Sequence, residues 1–198
     1  MARYLGPRFK QCRRLGVNTC GHPKAMNRAG SPAFAKRRKP TDYSKQLTEK
    51  QKLKAYYGVL EKQLQRYFDK AQRQSALATG DALVISLERR LDNIVYRIGF
   101  ANSIRFARQL VTHGHILVNG KKVDIPSVQL KVGDVVSLKE KSRNNEHFKA
   151  MFLNRSLPNL PYIERNTDEF SGKLARLPER SEVPIQVTDQ LVVEYYSK

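Results

Sequence analysis

Ala107-Arg108-Gln109-Leu110-Val111-Thr112-His113-Gly114-His115-Ile116-Leu117-Val118-Asn119-Gly120-Lys121-Lys122-Val123 is where the periodicity of the chain changes. Before Gly114, the apolar residues Phe106, Ala107, Leu110 and Val111 recur at helical spacing, with Arg105, Arg108 and Gln109 on the opposite, outward face. After it, Ile116-Leu117-Val118 and Lys121-Lys122-Val123 flank Asn119-Gly120. Asn-Gly between two such runs is the strongest short hairpin signal, because both residues tolerate the positive φ of a tight primed turn.

Upstream, Asn102 and Ser103 supply N-cap chemistry for this helix. Before them, Leu83, Leu87, Leu91, Ile94, Val95 and Ile98 form the clearest apolar stripe of the chain, closed by Gly99 at a C-cap, with a break expected near Arg89 and Arg90. Downstream, Pro126-Ser127 interrupts the strand pattern, Val128, Leu130 and Val132 alternate, Gly133-Asp134 turns the chain, and Val135, Val136 and Leu138 continue it. Residues 89–141 therefore read as two packed helices followed by a small antiparallel sheet.

The remainder is less regular. A helical pattern begins at Ser44, is broken at Gly58, and resumes through Leu60, Leu64, Tyr67, Phe68 and Ala71, with a connection over residues 75–80. Residues 1–45 lack apolar periodicity and read as a basic, irregular arm, whose order would come largely from a partner. Residues 142–182 read as polar and loop-rich, and residues 190–196 (Gln-Leu-Val-Val-Glu-Tyr-Tyr) as a last strand. The fold class is α+β. An arm (residues 1–45) and a mostly helical body (46–88, completed by 151–198) carry an inserted module of two helices and a sheet at 89–150.

Charge limits the partner. The 198 residues hold 37 Lys+Arg against 18 Asp+Glu, a formal net charge of +19. Residues 1–54 contribute 15 of those cations and only Asp42 and Glu49 as acids. Self-repulsion of this size costs stability, so it points to a polyanionic partner: nucleic acid first, an anionic membrane surface second. No run of 18 apolar residues exists, so no membrane span is expected, and the N-terminus lacks the apolar core of a signal peptide. Cys12 and Cys20 are too few for a disulfide framework and fit a reducing, cytosol-like compartment.

Arg105, Arg108 and Gln109 on one helix, His113 and His115 at its end, and Asn119, Gly120, Lys121 and Lys122 at the hairpin tip would form one cationic ridge if the hairpin packs beside the helix. Guanidinium forks suit phosphate and stack on bases, and lysines add point charge. From these residues alone an ordinary solvated face is an equal alternative. The histidines have no accompanying nucleophile and read as structural or phosphate-contacting. Asp92 reads as a salt-bridge partner of Arg89 or Arg97.

The stretches Arg90-Leu91-Asp92-Asn93-Ile94-Val95-Tyr96-Arg97-Ile98-Gly99, Ala107 through Gly120, and Val123-Asp124-Ile125-Pro126-Ser127 resemble the compact RNA-binding module named after small-subunit ribosomal protein four. Pseudouridine synthases, bacterial-type tyrosyl-tRNA synthetases and a heat-shock ribosome-rescue protein share that module. Ala2-Arg3-Tyr4-Leu5-Gly6-Pro7, Arg13-Arg14-Leu15-Gly16, Glu49-Lys50-Gln51-Lys52-Leu53, Tyr57-Gly58-Val59, Leu177-Pro178-Glu179-Arg180-Ser181-Glu182 and Leu191-Val192-Val193-Glu194-Tyr195-Tyr196-Ser197 resemble the ribosomal family itself, in its bacterial or plastid form, nearly end to end.

The resemblance implies a structural, non-enzymatic role in the small subunit, in the cytoplasm or a plastid stroma. It implies binding to a helix junction in the 5′ domain of 16S rRNA, nucleation of assembly, contacts with small-subunit proteins five and three and with mRNA where it enters the subunit, and an influence with protein five on accuracy. Neither a membrane nor a small-molecule substrate is implied.

The expected RNA contacts are Arg3, Tyr4, Arg8, Arg13, Arg14, Lys36, Arg37, Arg38 and Lys39 in the arm, and Lys50 and Lys52 in the first body helix. In the module they are Arg89, Arg97, Ser103, Arg105, Arg108, Gln109, His113, His115, Asn119, Gly120, Lys121 and Lys122. Residues 29–36 depart from the Gly/His/Gln-rich stretch of many members. Many relatives also bind zinc or an iron–sulfur cluster through four N-terminal cysteines. Here only Cys12 and Cys20 are present, with His22 nearby, so free thiols and no cofactor are expected.

Two rivals use the same module. An RNA-modifying enzyme would need a separate catalytic domain, which neither flank resembles; a stand-alone RNA chaperone would not carry the matched terminal motifs.

Overall fold

A computed structural model describes residues 4, 6–29, 39, 41–154 and 159–197. In chain order the elements are α1 (Arg8–Leu15), α2 (Asp42–Tyr57), α3 (Glu61–Gln72), α4 (Thr79–Glu88), α5 (Leu91–Ile98), α6 (Ile104–Thr112), β1 (Ile116–Val118), β2 (Lys121–Lys122), β3 (Val135–Leu138), α7 (Glu140–Arg143), α8 (Glu146–Leu153), β4 (Ile163–Asn166), β5 (Ser171–Leu174) and α9 (Asp189–Tyr196). The α+β class is as expected. The chain divides into two compact units, residues 1–83 with 184–198, and residues 84–183.

In the second unit, α4 ends and α5 begins at the break expected near Arg89 and Arg90. Gly99 closes α5 at φ 101°. Ser103 N-caps α6, its hydroxyl accepting from the Phe106 amide at 3.4 Å. Asn119 and Gly120 take φ 49° and 76°, and Val118 pairs with Lys121 across the two-residue turn. The sheet is antiparallel throughout, in the order β2-β1-β3-β5-β4.

Leu91, Ile94, Val95 and Ile98 from α5 and Ala107, Leu110 and Val111 from α6 bury against Ile116, Val136, Leu138, Phe152 and Leu174. Each fully buried large aliphatic contributes about 1.5–3 kcal/mol. The sheet approaches α5 so closely at Gly172 that a Cβ there would lie 2.7 Å from the Ile98 side chain.

This sheet is larger than the expected module. Residues 142–182 are not simply loop-rich: they supply α8 and the hairpin β4–β5, which extends the sheet by pairing Val135, Val136 and Ser137 with Lys173, Gly172 and Ser171. The C-terminal share of the first unit accordingly begins at residue 184 rather than 151. The short, polar composition of β4 and β5 conceals the strands, and β3, which pairs with β5, lies far away in sequence.

Two further expectations change in the first unit. The arm is not wholly irregular, since Arg8–Leu15 is helical, closed by Gly16 at φ 74° and followed by a 3-10 turn at Pro23–Met26. Cys12 and Ala25 are its buried anchors. Residues 190–196 form helix α9 rather than a strand. Val, Tyr and Leu there favour a strand locally, but tertiary packing overrides that preference. Residues on α2 hold α9. Glu49 accepts the Thr188 amide at its N-terminus at 3.0 Å, where a carboxylate also complements the helix dipole. Gln46 donates to Glu194 at 2.9 Å. The Phe68 and Tyr196 rings stack at 4.8 Å, beside buried Leu53, Tyr57, Leu64 and Val192.

Candidate nucleic-acid interface

The helix–hairpin surface of the second unit holds the expected ridge, with a changed membership. Arg105 and Gln109 lie exposed on α6, beside Ser103 at its N-terminus. Gly114 turns the chain at φ +72°, and Lys122 lies across it, so that a Cβ at Gly114 would collide with the Lys122 Cε. The hairpin therefore packs against the C-terminal end of α6, where an ammonium group also suits the carbonyl end of the helix dipole. Lys121 and Gly120 at the tip and His113 at the helix end are exposed. The exposed groups of this helix and hairpin thus include Arg105, Gln109, His113, Lys121 and Lys122.

Arg108 does not join them as expected. Its guanidinium turns inward and donates to Asp92 Oδ2 from Nε at 3.0 Å and from Nη2 at 2.6 Å. The same carboxylate takes Arg90 in a two-point contact, at 3.0 and 2.7 Å. Asp92 is fully buried and pairs with Arg90 and Arg108, not with Arg89 or Arg97. Arg97 is buried on Glu88 at 2.7 and 3.2 Å. Glu88 also accepts from the Asn93 amide at 2.7 Å and from the Tyr162 hydroxyl at 3.2 Å. Burial, with the adjacent Glu88 charge, raises the Tyr162 hydroxyl well above the ordinary phenol range. Arg89 donates to the Leu130 carbonyl at 2.8 Å.

Asn119 is likewise occupied, its amide donating to Asp134 at 2.8 Å and accepting from Val135 at 2.9 Å. Arg90, Arg97, Arg108 and Asn119 thus build the unit from which the ridge projects. Periodicity could have placed Arg97 on the buried side of α5, but nothing local marks Arg108 as the partner of Asp92.

His115 is half-buried, its Nδ1 2.9 Å from the Ser142 hydroxyl. Burial first, then the neighbouring His113 and Lys139, hold its pKa below the ordinary 6.5, so the imidazole is neutral at neutral pH.

In the first unit, the expected contacts Lys50 and Lys52 are drawn into ion pairs. Lys50 is buried, 2.9 Å from Glu61, with its ammonium 4.0 Å from the Tyr195 ring centroid. Lys52 pairs with Glu49 at 2.6 Å. Burial alone would raise the Glu61 carboxyl, but hydrogen bonds from Lys54, Lys50 and Tyr196 prevail and bring it to about 2. Arg8, Arg14, Tyr4 and Lys39 are exposed and Arg13 is half-buried. Arg3, Lys36, Arg37 and Arg38 lie outside the described residues.

The Cys12 thiol sits 3.4 Å from the Thr19 hydroxyl. Burial raises the Cys20 thiol, opposed by a hydrogen bond from the His22 backbone and reinforced by Cys12. His22 spends its Nδ1 on the Lys24 amide at 3.1 Å. Among the described residues, no group of three or more His, Cys, Asp or Glu is placed to hold a metal, and no helix is long and apolar enough to cross a membrane.

Two helices, a tight hairpin and their exposed cations define a compact RNA-binding module joined to a helical unit. Residues 89–136 match the family model described as the S4 domain, and residues 3–88 that described as the ribosomal protein S4/S9 N-terminal domain. The chain is 56% identical to the small ribosomal subunit protein uS4 of Finegoldia magna over 199 aligned positions, covering 100% of both chains. It is 54% identical to uS4B of Clostridium acetobutylicum, again over 100% of both. The chain belongs to the uS4 family of small-ribosomal-subunit proteins, a structural family and not one of enzymes.

Proposed function

We propose that the protein is an rRNA-binding constituent of the small ribosomal subunit that recognises a helix junction in the 5′ domain of 16S rRNA and nucleates assembly there. The observation that carries this reading is the packing of Lys122 over Gly114, which brings the basic hairpin against the end of the helix that carries Arg105. Such cations neutralise closely spaced phosphates. Helical RNA is recognised mainly by its shape and 2′-hydroxyls, so sequence readout should be modest. The formal charge of +19 and the full-length similarity to small-subunit proteins support the same partner.

In this reading the neighbours are small-subunit proteins five and three and incoming mRNA, and the contact with protein five contributes to translational accuracy. The protein works in the ribosome, in the cytoplasm as in bacteria, and Cys12 and Cys20 serve as reduced thiols without a cofactor.

The test is competition between the intact 5′-domain junction and an equal-length RNA with the junction opened, at several salt concentrations. A preference for the intact junction that persists at high salt is expected. Equal binding to both, lost together as salt rises, would leave only non-specific charge attraction and defeat the junction assignment.

A further inference from the structure

Beside the cationic ridge, α6, the turn that follows it and α8 bring five rings into a chain of tilted and edge-to-face contacts, with interplanar angles from 39° to 71°. Phe148 is the hub. Its ring centroid lies 5.3 Å from His115, 6.3 Å from Phe106 and 6.2 Å from His147. His113 extends the strip 6.3 Å beyond His115, and Phe106 lies 6.3 Å from His147. Phe106 and Phe148 rest on the core with one side and remain partly exposed. His113 and His147 stand in solvent at the two ends.

Two features separate this strip from ordinary packing. Burial against the core would be served as well by aliphatic residues, yet the exposed ends are imidazoles, flat rings with polar edges. Lys139 lies near His115, and Arg105 and Lys149 neighbour Phe106 and Phe148 in sequence; all three are exposed, and the carboxylates of the same segment are Glu140 and Glu146. Aromatic faces beside cations suit an unpaired base with its flanking phosphates: the bases of helical RNA are stacked away, whereas splayed-out bases stack on Phe and His.

We propose that His113, His115, Phe148, Phe106 and His147 form a stacking platform for an unpaired RNA base, adjacent to the ridge that engages backbone phosphates. The platform rests on the RNA-binding reading and adds a ligand class to it: a bulged or looped-out nucleotide.

The full-length protein is titrated with a duplex RNA carrying a single 2-aminopurine bulge, with the same RNA abasic at the bulge, and with the fully paired duplex. The base should bind about fivefold or more tighter than the abasic site, with quenched fluorescence on stacking. The double variant Phe148→Leu, His147→Ala should lose that preference and keep its affinity for the paired duplex, because leucine keeps the core contact and removes the ring. Phe148→Tyr should keep the preference.

A thermal melt confirms folding of each variant. If the double variant does not fold, His113→Ala with His147→Ala, both on exposed rings, should still reduce the preference. Equal affinity for base and abasic site, or an undiminished preference in the folded variants, overturns the platform while leaving ridge binding intact. Failure of the unmodified protein to bind any of the three RNAs overturns the RNA-binding reading and the platform together.

Discussion

The unit of residues 84–183 and the unit built on α2, α3 and α9 use cations differently. In the former, Glu88 and Asp92 are fully buried and hold Arg97, Arg90 and Arg108 close around them. In the latter, Glu61 remains 43% exposed while gathering Lys50, Lys54 and the Tyr196 hydroxyl. Arginine, with its planar fork, can satisfy a buried carboxylate at two points; lysine supplies a single mobile charge and suits a network still open to water. In both units, part of the basic excess that looks like an RNA-binding surface is consumed internally. On the helix–hairpin surface, the cations that stay exposed are Arg105 near the start of α6 and Lys121 and Lys122 on the hairpin beyond its end.

The sharpest test of this contrast is Asp92→Ala. Removing the carboxylate leaves Arg90, 1% exposed, without its buried counter-charge. A loss of about 3–5 kcal/mol in urea unfolding is expected. A loss below about 1 kcal/mol, typical of exposed ion pairs, would erase the distinction between the two networks.

Next comes Lys121→Ala with Lys122→Ala. Both side chains are exposed, so stability should change by less than about 0.5 kcal/mol for each. RNA affinity should fall, and the slope of log affinity against log salt should shrink by about one for each phosphate that is no longer neutralised. An unchanged slope in the folded double variant would remove the hairpin from the interface.

The smallest effect is expected at Glu61→Gln. The carboxyl titrates at about 2 in the folded chain against an ordinary 4.5. A depressed carboxylate adds stability above its unfolded value, and that stability is lost as pH falls from 4.5 towards 2. The variant should therefore flatten the acid side of the unfolding profile over that window. An unaltered profile would show that water screens this network completely.

Legibility followed the range of the interactions. The α5–α6 pair, the Gly99 and Ser103 caps and the Asn119-Gly120 turn are decided within a few residues, and each stands where its pattern placed it. Helix α9 and the β4–β5 hairpin did not, because their conformations depend on Glu49 and Gln46 in one case and on β3 in the other. The ridge was legible as a group of residue types but not residue by residue. Arg105 and Arg108 differ by one helical turn, and only the position of Asp92 directs one inward while the other stays exposed.

The amino-acid sequence by itself determined the polyanionic partner and the helix–helix–hairpin order, since charge, periodicity and turn chemistry are local properties; the family came from the resemblance of its motifs. Only the tertiary structure decided which cations remain outside, that Phe106, His115 and His147 meet at Phe148, and that the last segment is helical. Each of these depends on which distant groups burial brings together, and a buried carboxylate draws in whatever guanidinium or amide can reach it, because its own desolvation would otherwise go uncompensated.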